Sequence, residues 1–195
     1  MGGYTYIITI FNSFFNIFSY FINTSSLCSM EAEPIYWKDK VHSSMLYKVS
    51  SFNYSWLGIH IIYINHSLST YVLGPYILDI IGYHLIIQGL CSYMGDVYTF
   101  GRRSYWKIAD IILAHISIGY LGIIHILGLI RFPFPILMCM ASVTTAGIYC
   151  KYKDSNLLRL GGTEYSIINE WICWHIGWHF LPIGISISLF LLLIY

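Results

Sequence analysis

Two histidines near the end of the sequence have the spacing of a metal-ligand pair. The stretch EWICWHIGWHF places His175 and His179 four residues apart in an apolar run. Residues i and i+4 lie on one face of an α-helix, so the two imidazoles would point the same way. Neutral imidazole nitrogens bind zinc, and a catalytic zinc keeps a further position for water. Hydrogen-bonded packing of a membrane helix explains the pair, taken alone, equally well.

The composition indicates that the helix carrying this pair lies in a membrane. The chain is 57% hydrophobic and only 10% charged, whereas soluble domains have roughly 25% charged residues. A net charge of +1 argues against a nucleic-acid partner. The five cysteines lack the CxxC spacing of a zinc site. We therefore expect an all-α, polytopic transmembrane helix bundle that contacts membrane lipids.

Six apolar runs approach the length of about 20 residues that a membrane-spanning helix needs. They cover approximately residues 4–23, 54–73, 75–95, 108–130, 132–150 and 167–194. The polar stretch KYKDSNLLRLGGTE separates the fifth from the sixth, and Pro182 should kink the last helix. The first run lacks the basic n-region of a signal peptide, so we expect a helix there. Together the six spans predict a single integral-membrane domain, residues 1–195.

The basic residues predict how this bundle is oriented. Nine of the ten fall in the first, third and fifth loops, and only Arg131 falls in another loop. The nine are Lys38, Lys40, Lys48, Arg102, Arg103, Lys107, Lys151, Lys153 and Arg159. The positive-inside rule places these loops in the cytoplasm, or in the matrix if the membrane is the mitochondrial inner membrane. Both termini would then lie on the opposite side, and residues 25–53 would form a long solvated loop.

Further polar residues are expected on the same side of the membrane as the histidine pair. Ser92 and Asp96 end the third span, and Asp110 opens the fourth. His60 and His115 come to a similar depth when each residue adds about 1.5 Å along a helix. Ionisable groups inside a span usually face the interior of the bundle. A carboxylate there could act as general base, and a hydroxyl could donate to an oxyanion.

Three segments in this order resemble a known family: CSYMGDVY, SYWKIADIILA and CWHIGWHFL. They are similar to the superfamily of seven-span membrane hydrolases that contains alkaline ceramidases, adiponectin receptors and Per-type GPI-remodelling proteins. The resemblance implies that His175 and His179 bind zinc, with Asp110 as the catalytic base and Ser92 assisting. It covers about 85 residues, from the third span to the sixth. The chain departs from the family at Asp96, where a third zinc-binding histidine is expected: either Asp96 binds zinc as a carboxylate, or zinc is bound differently or not at all.

Three functions follow as expectations. The leading expectation is a non-catalytic subunit of a larger membrane assembly, respiratory or photosynthetic. Such a subunit would descend from a hydrolase-like ancestor and would be held by other membrane-protein subunits. The alternative is a zinc-dependent hydrolase of lipid amides or esters, with the metal bound by Asp96, His175 and His179. A second alternative is a membrane electron carrier in which haem b is bound by two histidines from different helices, with His60, His115 and His175 as the candidates.

Overall fold

The computed structural model describes residues 35–67, 76–131, 133–160 and 164–191, and every regular element within these ranges is helical. A 3-10 turn, Ile35–Trp37, precedes the first helix, and a π-helical turn, Tyr93–Tyr98, directly extends α4. The α-helices are α1 (Lys38–Ser43), α2 (Met45–Ser50), α3 (Asn53–Ser67), α4 (Ile77–Ser92), α5 (Tyr105–Arg131), α6 (Phe134–Leu160), α7 (Tyr165–His179) and α8 (Leu181–Leu191). The all-α prediction is confirmed for this part of the chain.

Three stretches of the described residues are long and apolar enough to cross a membrane. They are Ile77–Tyr98, Phe134–Leu160 and Tyr165–Leu189. The expectation of an integral membrane protein with several spanning helices is therefore supported. The predicted first span, residues 4–23, lies outside the described residues, as does the end of the predicted second span. The count of six spans stays a prediction.

The last spanning stretch is interrupted close to Pro182, as the sequence predicted. α7 ends at His179, and α8 begins at Leu181. The ring of Pro182 has no N–H to donate and clashes with the carbonyl four residues earlier. The amide of Phe180 donates to the carbonyls of Ile176, at 3.1 Å, and Gly177, at 3.2 Å. α7 thus ends at His179, the second histidine of the pair, three residues before Pro182.

Two segments that were expected to be polar loops are helical instead. α6 does not end near residue 150 but continues through KYKDSNLLRL to Leu160. Part of the expected loop 25–53 forms α1 and α2, in which Val41 and Tyr47 are buried. Both segments carry charged residues, and a charged composition predicts a solvent-exposed loop. Some of these charges instead have partners inside the bundle.

The helices α3 and α4 approach each other closely, because glycines lie at their contact. A Cβ atom on Gly58 would lie 2.4 Å from the backbone oxygen of Gly82, a distance that no side chain tolerates. Small residues commonly permit such close approach between membrane helices. α4 also packs on α5, while α7 packs on α6.

A cluster of apolar side chains packs α1 and α2 against α7 and the π turn. Its buried members are Trp37, Val41, Tyr47, Val97, Phe100, Ile168, Trp171 and Ile172. The cluster fixes the face of α7 that carries His175, since Trp171 lies one turn before it.

Candidate metal centre

Three buried ligand groups converge where the π turn meets α7. Asp96 Oδ2 lies 3.4 Å from His175 Nε2 and 3.3 Å from His179 Nε2. The two Nε2 atoms are 2.9 Å apart. All three side chains are at most 5% exposed. Asp96, His175 and His179 form a group that could hold a metal ion.

The spacing of these three atoms fits a zinc ion. The triangle that they form has a circumradius of about 1.9 Å, slightly less than the zinc–nitrogen and zinc–oxygen bond lengths of about 2.0–2.1 Å. Asp96, His175 and His179 would therefore be able to hold one zinc ion together. Two imidazoles and one carboxylate are also the ligand set of several catalytic zinc sites.

The π turn positions Asp96. Its closing hydrogen bond runs from the Thr99 amide to the Met94 carbonyl, five residues earlier, at 3.0 Å. Gly95 permits the start of α5 to lie against this turn, because a Cβ there would come within 3.2 Å of the Cα of Lys107. π turns within α-helices are frequent at functional sites. Here the turn brings the carboxylate of Asp96 to the histidines of α7 and the ammonium of Lys107 to the same carboxylate.

Both oxygens of Asp96 have further partners. The Ser92 hydroxyl donates to Oδ2 at 3.1 Å, and the Lys107 ammonium contacts Oδ1. Lys107 therefore offsets the charge of the carboxylate on the side away from the histidines. The predicted role of Ser92 as an oxyanion donor needs the same hydroxyl proton that it gives to Asp96 in this structure.

A second carboxylate orients His175. The Nδ1–H of His175 donates to Asp154 Oδ1 at 2.9 Å, and Lys151 Nζ donates to Asp154 Oδ2 at 2.7 Å. With the proton on Nδ1, the neutral ring of His175 presents the lone pair of Nε2 to the centre. Metal-binding histidines commonly have such a carboxylate on the other ring nitrogen.

Aromatic rings and an amide enclose the two histidines. Tyr47 stacks on the ring of His175 with centroids 4.9 Å apart, and Tyr54 meets His179 edge-on at 5.7 Å. The Asn53 amide donates to the backbone oxygen of His179 at 2.8 Å. The Nδ1 atom of His179 is buried and has no hydrogen-bond partner among the described residues. The two histidines therefore differ, since only His175 is held at its outer nitrogen.

The other predicted site residues lie outside this group of three ligands. Asp110, on the first turns of α5, is half-buried, and its charge is within electrostatic reach of Asp96 and His175. His60 bonds to the Ser186 hydroxyl on α8. The Nδ1–H of His115 donates to the Ile111 carbonyl of its own helix at 2.6 Å. The haem alternative stays a prediction.

Sequence reasoning missed the residues that surround the ligands. Asp154 and Lys151 were assigned to a polar loop, and Lys107 was counted only for the orientation of the bundle. Their helical spacing was the available signal, because Lys151 and Asp154 are three residues apart and share a helix face. The 2% exposure of Asp154 could not have been anticipated without its partner on α7.

A search of family models, curated proteins and solved structures finds no match to this chain, so the site is interpreted from its own geometry.

Proposed function

We propose that this protein is a zinc-dependent membrane hydrolase that cleaves an ester or amide bond of a lipid. The observation that carries the proposal is the triangle of Asp96 Oδ2, His175 Nε2 and His179 Nε2, with edges of 2.9–3.4 Å. The carboxylate behind His175 adds the outer hydrogen bond that metal-binding histidines commonly have.

The location of the group suits a lipid substrate. Asp96 lies two residues before the end of the spanning stretch Ile77–Tyr98. Ester and amide carbonyls of lipids lie near the boundary between the head groups and the hydrocarbon, which is the depth that Asp96 has on its own spanning stretch, while His175 lies ten residues after the start of Tyr165–Leu189.

Each residue of the site then has a role in hydrolysis. Asp96, His175 and His179 would hold the metal, which would supply Lewis-acid chemistry for the carbonyl and for a water molecule. Asp110 would accept a proton from the attacking water and return it to the leaving amine or alcohol. Ser92 and Lys107 hold Asp96 in place. Water adds across the bond, so the products are a fatty acid and the amine or alcohol.

Metal analysis and a lipid assay on matched variants test this proposal. The wild type, H175A and H115A would be purified in mild detergent, reconstituted with zinc and tested on ceramide and phospholipid with fluorescent acyl chains. We expect one zinc per chain and fatty-acid release for the wild type and for H115A, and loss of both for H175A. His115 is the control because it too is a histidine within a helix, but it bonds to its own helix.

Zinc-free wild type after reconstitution would overturn the proposal. That outcome would favour the non-catalytic membrane subunit, for which the same residues form an internal ion-pair network. The subunit would then have to co-purify with partner proteins.

A further inference from the structure

Asp154 is a buried carboxylate that the hydrolytic steps do not use. It lies on α6, is 2% exposed, and belongs to a helix long and apolar enough to span the membrane. An ionised group in such a position is costly and usually functional. Its two oxygens have separate partners, His175 Nδ1 on α7 and Lys151 Nζ one turn earlier on α6.

We propose that Asp154 is the positioning residue of the metal centre and that Lys151 holds it in place. Asp154 would fix the ring orientation and the tautomer of His175 in the form that binds a metal. This inference rests on the proposed function. The hydrogen bond from Nδ1–H to Asp154 fixes the rotation of the imidazole and keeps the proton away from Nε2. The lone pair of Nε2 then already faces Asp96 and His179, the other two ligands, before any ion arrives.

Lys151 completes the arrangement by fixing the carboxylate itself. Its ammonium lies 2.7 Å from Asp154 Oδ2, and the two residues are three apart on one helix. The Lys151 side chain is 30% exposed, so it connects the buried carboxylate to the edge of the bundle. The hydrogen-bonded side chains of Lys151, Asp154 and His175 thus connect the edge of the bundle to the metal position.

His179 provides the internal contrast. Its Nδ1 atom has no hydrogen-bond partner among the described residues, so the structure fixes only one of the two imidazoles in this way. The preset nitrogen of His175 lies within 3.4 Å of both other ligand atoms. Loss of Asp154 should therefore affect both metal affinity and coordination geometry.

The test compares Asp154→Asn with Asp79→Asn in the detergent-purified full chain. Asp79, on α4, also accepts a hydrogen bond in the bundle, from Asn65 at 2.9 Å, but it is not among the three ligands. Zinc affinity would be measured by competition with a chelating dye, and coordination by the visible spectrum of the cobalt-loaded protein. We expect D154N to bind zinc about 10–100-fold more weakly and to change the cobalt spectrum. D79N should match the wild type in both measurements.

Zinc binding by D154N within twofold of the wild type, with an unchanged cobalt spectrum, would overturn the positioning role while leaving the proposed function intact. Wild type that binds no zinc would overturn the proposed function first. If D154N does not fold, Lys151→Met keeps the carboxylate and removes only its clamp. K151M should then weaken zinc binding about threefold, less than the 10–100-fold typical of a partner that bonds directly to a metal ligand, because Asp154 keeps its bond to His175. Wild-type affinity in K151M would count against the inference.

Discussion

Removing both members of the Asp96–Lys107 ion pair should cost much less stability than the sum of the two single replacements. The pair joins the π turn to α5, and the side chain of Asp96 is 3% exposed, against 28% for Lys107. Asp96→Asn keeps the shape of the side chain but leaves the ammonium facing an amide. Lys107→Met keeps most of the length but leaves the carboxylate without its cation.

The expected coupling energy follows from burial. Removal of one partner of a fully buried pair costs about 3–5 kcal/mol, since it leaves an uncompensated charge. Lys107 is partly exposed, and its flexible stem can carry the ammonium toward water. Asp96 also keeps the hydroxyl of Ser92. We therefore expect a coupling energy of about 2–3 kcal/mol, below the fully buried range.

A double-mutant cycle measures this energy. The wild type, D96N, K107M and the double variant would be unfolded in mixed micelles, with tryptophan fluorescence as the signal and a chelator present to exclude metal binding. The control cycle combines D96N with Lys153→Met, because Lys153 lies over the Tyr149 ring. That control should be additive within about 0.5 kcal/mol. The same additivity in the D96N and K107M cycle would refute the reasoning.

Two further predictions concern the packing that holds the site. Gly58→Leu should lower the free energy of unfolding by about 2–3 kcal/mol, since its Cβ would lie 2.4 Å from the Gly82 oxygen. The control is Gly119→Leu, where a Cβ meets nothing within 4 Å. It should change the free energy of unfolding by at most about 0.5 kcal/mol. Trp171→Ala should lower the free energy of unfolding by about 3 kcal/mol, because a side chain that is 1% exposed leaves a cavity beside His175. Its control, Trp106→Ala, removes a side chain that is 46% exposed and should lower the free energy of unfolding by less than about 1 kcal/mol. Unfolding in mixed micelles checks both pairs, and equal losses within either pair would contradict the packing described above.

The proximity of Asp96 to His175 and His179 could be expected from the sequence because sidedness and helical spacing act together, whereas Asp96 entered the predicted ligand set through the family resemblance. The histidine pair shares a face at i and i+4, and the distribution of lysine and arginine placed Asp96 on the same side of the membrane. Neither inference needs a side-chain contact. The spacing of 2.9–3.4 Å between the ligand atoms, in contrast, depends on the π turn, which has no sequence pattern of its own.

The end of α6 was mispredicted for a physical reason. A hydropathy scale assigns each charged residue the free-energy cost of leaving water. It does not include the ion pairs and hydrogen bonds that offset this cost in the folded protein. Asp154 has such partners in Lys151 and His175, so the helix continues through KYKDSNLLRL instead of ending near residue 150. For the same reason, the sequence did not predict that the carboxylate of Asp154 would bond to His175.

The two aspartate–lysine pairs also bear on how the chain enters the membrane. Asp154 finds Lys151 three residues away on its own helix, and Asp96 finds Lys107 across a single short connection. Both carboxylates can thus be neutralised by neighbours that are synthesised almost at the same time, before α7 has left the ribosome. The costly charges of this centre would then cross into the bilayer as local, nearly neutral pairs, and the histidines would join them last.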